Sequence, residues 1–572
     1  MNFSIKTIKV RNIIIVNSLT IILNLLCIAI GILYILQPQY ALYWDFFGVI
    51  MSITIFENLF FIYFSLHKKN ILRAKSHKIG YGFLLIIILS IIFMMLGNLL
   101  LSVIYSNELR SNFIAYLLTY GGYFGIFIYG LSFASYNIRI LNHTDLLLLK
   151  YTYSITSENS TKVKIILRKV LVFISRTTFL IGIIFAIVTI FGSFEVVTTI
   201  IAIVSGQFGL FFSLIFLANT ILLLKLKRRK RTTKKYYRTA VIGLFVSGCL
   251  LMPIFLTNST VTNADRAFTT GFGNNWRDRI PLEADQYFLE TPFSLTEYYL
   301  GVPPKDCIIE KNILFYNNEG IELYFDAYMP LNRNMELPGE NSTIIRIHGG
   351  AWVSGDKGLM NMMQMNKYFA AQGYIVFDIQ YGLDSNPLFD LDPLTPDYQK
   401  GNFIIDDMMH HIGAFTNYLA SHVDDYGANL DSVFVSGGSA GGQLASAVGL
   451  AIASGNYSHI FNASLTVKGI IPFYPANGAM NFFGISGSSE FKNPELLINK
   501  NSPPCLIFQG THDILNYFGI SETMRDTYLT KGNPECAILW MPLAGHASDI
   551  YFSSQYNQVF LYYMERFLYL YH

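Results

Sequence analysis

A chain of 572 residues is too long for one ordinary core, and 52% apolar with only 14% charged residues is too lipophilic for a protein solvated wholly by water. The net charge of +3 is small, and Lys and Arg fall in short blocks between apolar runs, which argues against a nucleic-acid partner. The five cysteines are scattered and outline neither a disulfide framework nor a metal site, and no motif calls for a metal or an organic cofactor.

Uninterrupted Ile, Leu and Phe runs fill the chain up to about Thr257. A spanning helix needs about 20 such residues, and seven stretches qualify: 12–36, 42–65, 80–105, 113–137, 170–192, 196–224 and 239–257. The fifth and sixth nearly touch at Gly192 and Ser193. The first run is long enough to span and carries no convincing cleavage site, so it is expected as an anchor rather than a removed signal.

Positive charge alternates across these crossings. Lys6, Lys9 and Arg11 precede the first span; Lys68, Lys69, Arg73, Lys75 and Lys78 lie at the second loop; Lys150, Lys162, Lys164, Arg168 and Lys169 at the fourth; and the run from Lys225 to Arg238 fills the sixth. Loops one and five hold no Lys or Arg, and loop three only Arg110. Lys/Arg-rich loops stay in the cytoplasm, which predicts a cytoplasmic N-terminus, a multi-pass cell-membrane protein, and everything after Thr257 outside. Glu57 and Arg176 are the ionisable residues at depth, near the inner ends of their helices, either paired or snorkelling separately. No repeat, broken helix pair or acidic relay marks a transporter, so residues 1–257 read as an all-α transmembrane bundle with an anchoring role.

Residues 258–305, rich in Asn, Thr, Gly and charge without a sustained apolar period, read as an extracytoplasmic linker and lead-in. From 306 to 572, short apolar strands alternate with amphipathic stretches, the pattern of a mostly parallel eight-stranded sheet with helices on both faces. The strands are predicted at Ile308–Tyr316, Ile321–Tyr328, Thr343–Ile347, Ile375–Ile379, Ser432–Ser436, Gly469–Phe473, Cys505–Gln509 and Ala537–Pro542, the first two as an antiparallel hairpin. Helices fit at Asn402–His422 and Tyr556–Tyr571, and Cys505 and Cys536 are expected as free buried thiols on neighbouring strands.

Three strand ends carry chemistry. Gly437-Gly438-Ser439-Ala440-Gly441 follows a strand and opens a helix, the tight turn that lifts a serine hydroxyl above a sheet. His348-Gly349-Gly350-Ala351-Trp352 ends an earlier strand, where two glycines let backbone N–H groups approach an oxyanion; His348 is read as a loop-orienting hydrogen-bonder. Asp513 and His546 each lie just beyond a late strand, supplying a carboxylate to orient an imidazole that takes the serine proton. His512, His410, His411 and Asp549 compete for these roles but are read as surface or packing residues.

These motifs resemble the α/β-hydrolase superfamily, and within it the carboxylesterases and arylformamidases with an HGGxW motif, over about residues 306–572. The resemblance implies Ser439 as nucleophile, His546 as base, Asp513 as acid, and an oxyanion hole from the backbone of Gly349, Gly350 and Ala440. The stretch between Ala476 and Lys500 is too short for a large cap, which implies an open site and short acyl groups. The expected activity is hydrolysis of a small acyl ester, on a glycan or a soluble molecule. Acyl transfer, amide or formamide cleavage, and a sensing module on a seven-helix receptor or transporter remain alternatives. Protease added to intact cells should cut the hydrolase half and spare the loop from Lys225 to Arg238, whereas an uncut hydrolase half would reverse the topology.

Overall fold

The computed structural model describes residues 2–37, 41–66, 74–104, 109–142, 162–226, 233–303, 305–318, 320–332, 336–358, 361–385 and 395–572. Among the basic loop residues, Lys68, Lys69, Arg73, Lys150 and 227–231 lie outside the described residues. The helices of the first half are α1 (Asn2–Leu36), α2 (Ala41–Ser65), α3 (Ala74–Ile104), α4 (Leu109–Asn142), α5 (Lys162–Phe191), α6 (Val196–Gln207), α7 (Gly209–Leu226) and α8 (Lys234–Phe255). Among the described residues, seven helical segments are long and apolar enough to cross a membrane.

The sixth expected span is two helices. They meet at Phe208, where the backbone ladder runs on through Phe208 N–H to Val204 O (3.0 Å) and Phe212 N–H to Phe208 O (3.0 Å). Only α7 has spanning length, and α6 continues it past the bundle to form, with α5, a helical hairpin closed by Gly192–Glu195. Glu57 and Arg176 do not pair: Glu57 Oε1 accepts a hydrogen bond from Thr20 Oγ1 (2.6 Å), and Arg176 is exposed on α5. Amides also pair inside the bundle, as in the mutual contact of Asn24 and Asn58 (2.9 and 3.0 Å) joining α1 to α2.

The expected linker is also corrected. Helix α9 (Thr257–Phe272) starts where α8 ends, and the ladder is unbroken through Leu256 N–H to Met252 O and Thr260 N–H to Leu256 O (both 2.9 Å). Its buried residues are Thr257, Thr260, Ala264, Phe268, Gly271 and Phe272, a helical period in which two of six members are threonine. Phe268 and Phe272 pack against Tyr563 and Phe567 of the C-terminal helix Gln555–Tyr571, at ring separations of 5.2 and 5.1 Å. The seventh apolar segment thus runs on as helix into the second half.

All eight expected strands form: β1 (Ile308–Asn318), β2 (Ile321–Met329), β3 (Ser342–Ile347), β4 (Ile375–Ile379), β5 (Asn429–Gly438), β6 (Val467–Phe473), β7 (Cys505–Gly510) and β8 (Cys536–Met541). They lie in the order β1-β2-β4-β3-β5-β6-β7-β8. The sheet is mixed: β2 pairs antiparallel with both β1 and β4, and the remaining pairings are parallel. Helices Ile405–Ser421, Ala440–Ser454 and Gly519–Thr530 bury one face, while Met363–Ala371, α9 and Gln555–Tyr571 bury the other. Cys505 and Cys536 sit directly opposite each other on β7 and β8 as free thiols.

The two halves share a core. Tyr298, Tyr299 and Leu300, from the helix Leu295–Leu300, join Tyr551 inside the hydrophobic cluster of the bundle. Phe208 stacks on Tyr551 (4.7 Å) and Phe211 on Tyr298 (5.2 Å). Asn98 donates to Tyr299 O (2.8 Å) and to the Tyr551 hydroxyl (3.2 Å), Ser102 Oγ accepts from Phe552 N–H (3.0 Å), and Gln207 Oε1 accepts from Tyr551 N–H (2.8 Å). Asn98→Leu leaves the Tyr299 carbonyl buried without this donor, a loss of about 1–3 kcal/mol. A lower thermal midpoint for the hydrolase half in the full-length protein checks this, and an unchanged midpoint would mean that the seam does not depend on Asn98.

Candidate active site

Each candidate side chain stands at the C-terminal end of a parallel strand, where open α/β sheets place their chemistry. Ser439 follows β5 with φ 57° and ψ −118°, a conformation that costs of order 1–3 kcal/mol and persists only when its surroundings over-determine it. They do so here. Ser439 N–H bonds Phe473 O (2.9 Å), and Ser439 O accepts from Gln443 N–H (3.0 Å) and Ala476 N–H (3.2 Å).

Asp513 lies beyond β7 and is buried. Its Oδ1 accepts from the N–H groups of Leu515 and Asn516 (both 3.0 Å), and its Oδ2 faces His546 Nδ1 at 2.8 Å. A carboxylate can only accept, so Nδ1 carries the proton and Nε2 is left as the acceptor for Ser439 Oγ, 3.1 Å away. The three residues expected from sequence therefore form one hydrogen-bonded line, with the imidazole in the tautomer that can take a proton from the hydroxyl.

Beyond β3, Gly349 lies against the elbow: a Cβ there would fall 2.8 Å from Gly438 O and 3.5 Å from Ser439 Cβ. Gly350 has φ +118°. Neither position tolerates a side chain, and the loop can reach the nucleophile only as bare backbone. The N–H groups of Gly349, Gly350 and Ala440 donate no hydrogen bond among the described residues. They are the donors available to a negative oxygen above Ser439. His348 is buried, its Nδ1 donates to Gly349 O (2.8 Å), and its ring stacks on Tyr381 (4.6 Å). Burial holds this imidazole below its ordinary pKa, and its bond to Gly349 O ties it to the loop. His411 is buried against Tyr316 and Phe403, and His410 is exposed; neither approaches the line.

Of the surface and packing roles read for it, Asp549 takes the second: it is buried and accepts a hydrogen bond from Tyr474 Oη (2.7 Å), and the Tyr474 ring packs edge-on against His546 (4.7 Å). Burial raises the Asp549 carboxyl above its ordinary value, against the lowering effect of the Tyr474 hydroxyl. Tyr474 was not singled out from sequence, although it directly follows β6 at the same end of the sheet. His512 is half-buried against the helical hairpin, and burial depresses its pKa despite the nearby Thr189 carbonyl. The segment from Ala476 to Lys500 holds only short helical turns: Phe483 packs on Trp352 (5.7 Å), whose Nε1 donates to Gln443 Oε1 (3.0 Å).

With this geometry in place, the similarities to other proteins fall into register. Residues 325–495 match the model of the BD-FAE family, esterase-like α/β hydrolases. That segment contains Gly349, Gly350, Ser439 and Ala440, while Asp513 and His546 lie beyond it. Esterase LipC of Mycobacterium tuberculosis is 20% identical over 242 residues, 38% of this chain and 56% of LipC, so the chain spans little more than half the length of that relative. Among solved structures, esterase B of Lactobacillus rhamnosis is 20% identical with a TM-score of 0.35, covering 44% of this chain and 82% of its own. Apo esterase 2 of Thermogutta terrifontis is 18% identical with a TM-score of 0.34, covering 46% and 91%.

Tyr474→Phe removes the donor to a buried carboxyl. It should destabilise the hydrolase half by about 1–3 kcal/mol, and Asp549→Asn, which keeps an acceptor for that hydroxyl, should cost less. Chemical denaturation of the two variants decides, and equal losses would remove the hydrogen bond from the account.

Proposed function

We propose that the chain is a membrane-anchored serine esterase that hydrolyses small acyl esters through an acyl-enzyme. The observation that carries this reading is the line from Asp513 through His546 to the Ser439 hydroxyl, at 2.8 and 3.1 Å. His546 takes the hydroxyl proton as Ser439 Oγ bonds the ester carbonyl carbon. The carbonyl oxygen becomes negative and is met by the amides of Gly349, Gly350 and Ala440. Collapse expels the alcohol, which receives the proton from His546. Water then repeats the sequence, activated by His546, to release the acid and restore Ser439. Asp513 holds the ring in place and stabilises its cation in both halves.

Seven apolar helical segments support the anchoring, and the alternation of basic loops supports an extracytoplasmic hydrolase half with a cytoplasmic N-terminus. The short helical turns between Ala476 and Lys500 support short acyl groups over long ones.

With full-length protein and p-nitrophenyl acetate, Ser439→Ala and His546→Ala should each lower kcat by at least about three orders of magnitude, and Asp513→Asn by a comparable factor. Ser439→Ala should also abolish labelling by a serine-directed phosphonate. Wild-type turnover retained in Ser439→Ala would overturn the assignment.

A further inference from the structure

The acid and the base each stand one residue from the helical hairpin. Gly545, before His546, packs so closely on α6 that a Cβ there would lie 2.9 Å from Ala202 Cβ. His512, before Asp513, lies against Gly192 at the turn between α5 and α6, where a Cβ would be 3.4 Å from His512 Cβ. The height of this hairpin can be counted along α7 and α6, whose backbone ladder continues through Phe208. Lys225 marks the basic end of α7, with its ammonium bonded to Tyr63 O (2.6 Å). From there to Ala202 is 23 residues (225 − 202), about 35 Å at ~1.5 Å per residue. The hydrocarbon core of a bilayer is about 30 Å thick, and about 40–45 Å with its headgroups. The contact beside His546 therefore falls within the headgroup layer of the opposite leaflet. Phe208, which stacks on Tyr551, lies 17 residues up (225 − 208), about 26 Å, inside the hydrocarbon.

Beside the exposed Glu195 and Thr511, the rim carries several large exposed apolar side chains. Phe191 and Phe194 on the hairpin are 79% and 68% exposed, as lipid-facing positions are. Leu515 and Tyr517, at 51% and 59%, belong instead to the loop that starts at Asp513 in the water-soluble fold. Large apolar side chains left exposed there, joined to the lipid face through the contact of His512 with Gly192, suit a surface that meets lipid rather than water.

We propose that the ester cleaved at this site is carried by a membrane amphiphile. A short acyl group is held at headgroup depth on a molecule whose tail stays in the leaflet beside the hairpin, and it reaches Ser439 laterally. This rests on the esterase reading and on the bundle spanning a bilayer. The test uses full-length protein in phosphatidylcholine vesicles and two p-nitrophenyl phosphonates with the same reactive head, one water-soluble and one with a hexadecyl tail. In either, Ser439 Oγ bonds phosphorus and p-nitrophenolate leaves. Placed in the same vesicles, the tailed probe should label Ser439 at least tenfold faster than the soluble probe at equal total concentration. The advantage should be lost when it is supplied in separate protein-free vesicles. Labelling by the soluble probe with no gain from the tail overturns this inference and leaves the esterase reading standing. Failure of both probes overturns the esterase reading, and this inference with it.

Discussion

Tyr551 has to be at home in two solvents. It belongs to the loop that carries His546, yet its ring is stacked on Phe208 in the core of an apolar bundle. Its backbone N–H is buried there with no water to satisfy it, and in such a place an unpaired amide costs several kcal/mol. Gln207 Oε1 meets it at 2.8 Å, and the Gln207 carbonyl takes the Tyr298 hydroxyl at the same distance. Gln555 Nε2 reaches Gly206 O (3.0 Å), and Asn98 and Ser102 supply the other side. A seam made only of apolar side chains would slide. One in which each buried backbone group has a specific side-chain partner fixes depth and rotation together.

That fixing is transmitted to the chemistry within a few residues. His546 is five positions before Tyr551 and one after Gly545, whose backbone rests on Ala202. The base is therefore held from below by the bundle and from the side by Tyr474, while Asp513 is held by two backbone amides of its own loop. The strained Ser439 is held by the end of β6 at Phe473, by Gln443 on the helix it opens and by Ala476 in the following loop. Nucleophile and base meet over about 3 Å between these supports.

What the sequence made legible follows from the range over which each signal acts. The strands carry runs such as Ile375–Ile379 and the apolar segments run to about twenty residues; both are local patterns, and the strands and the first five segments were placed to within about five residues, whereas the sixth starts at Gly209 and the seventh runs on to Phe272. Ser439, Asp513 and His546 were legible because each stands a fixed short distance past a strand. Helix α9 was missed because Thr257 and Thr260 stand where an apolar stripe would show Leu or Ile. The junction at Phe208 is flanked by Gly206 and Gly209, but a hydropathy window averages over them and does not show it. Pairing of Glu57 with Arg176 was suggested by depth alone, which says nothing about which faces of α2 and α5 meet. Asp549, Tyr474 and the seam escaped for one reason: their partners lie 75 to about 450 positions away, and no pattern in one sequence links Ser102 to Phe552.

The Ala476–Lys500 segment and the hairpin contact bear on the same physical problem. An ester hydrolase must keep its acyl-enzyme apolar enough to strengthen the amide contacts to the oxyanion, yet admit one water for deacylation. A soluble enzyme acting on amphiphiles meets the first need with a mobile apolar lid. On the proposed placement the bilayer surface lies beside the base, so the apolar cover would be supplied by the medium in which the substrate is dissolved, and a lid would only obstruct lateral entry. The same placement selects by depth. A carbonyl buried among acyl chains lies below His546, and one on a distant soluble molecule gains nothing from the surface, so the ester favoured is the one whose own anchor holds it at the level of the Gly545 contact with Ala202.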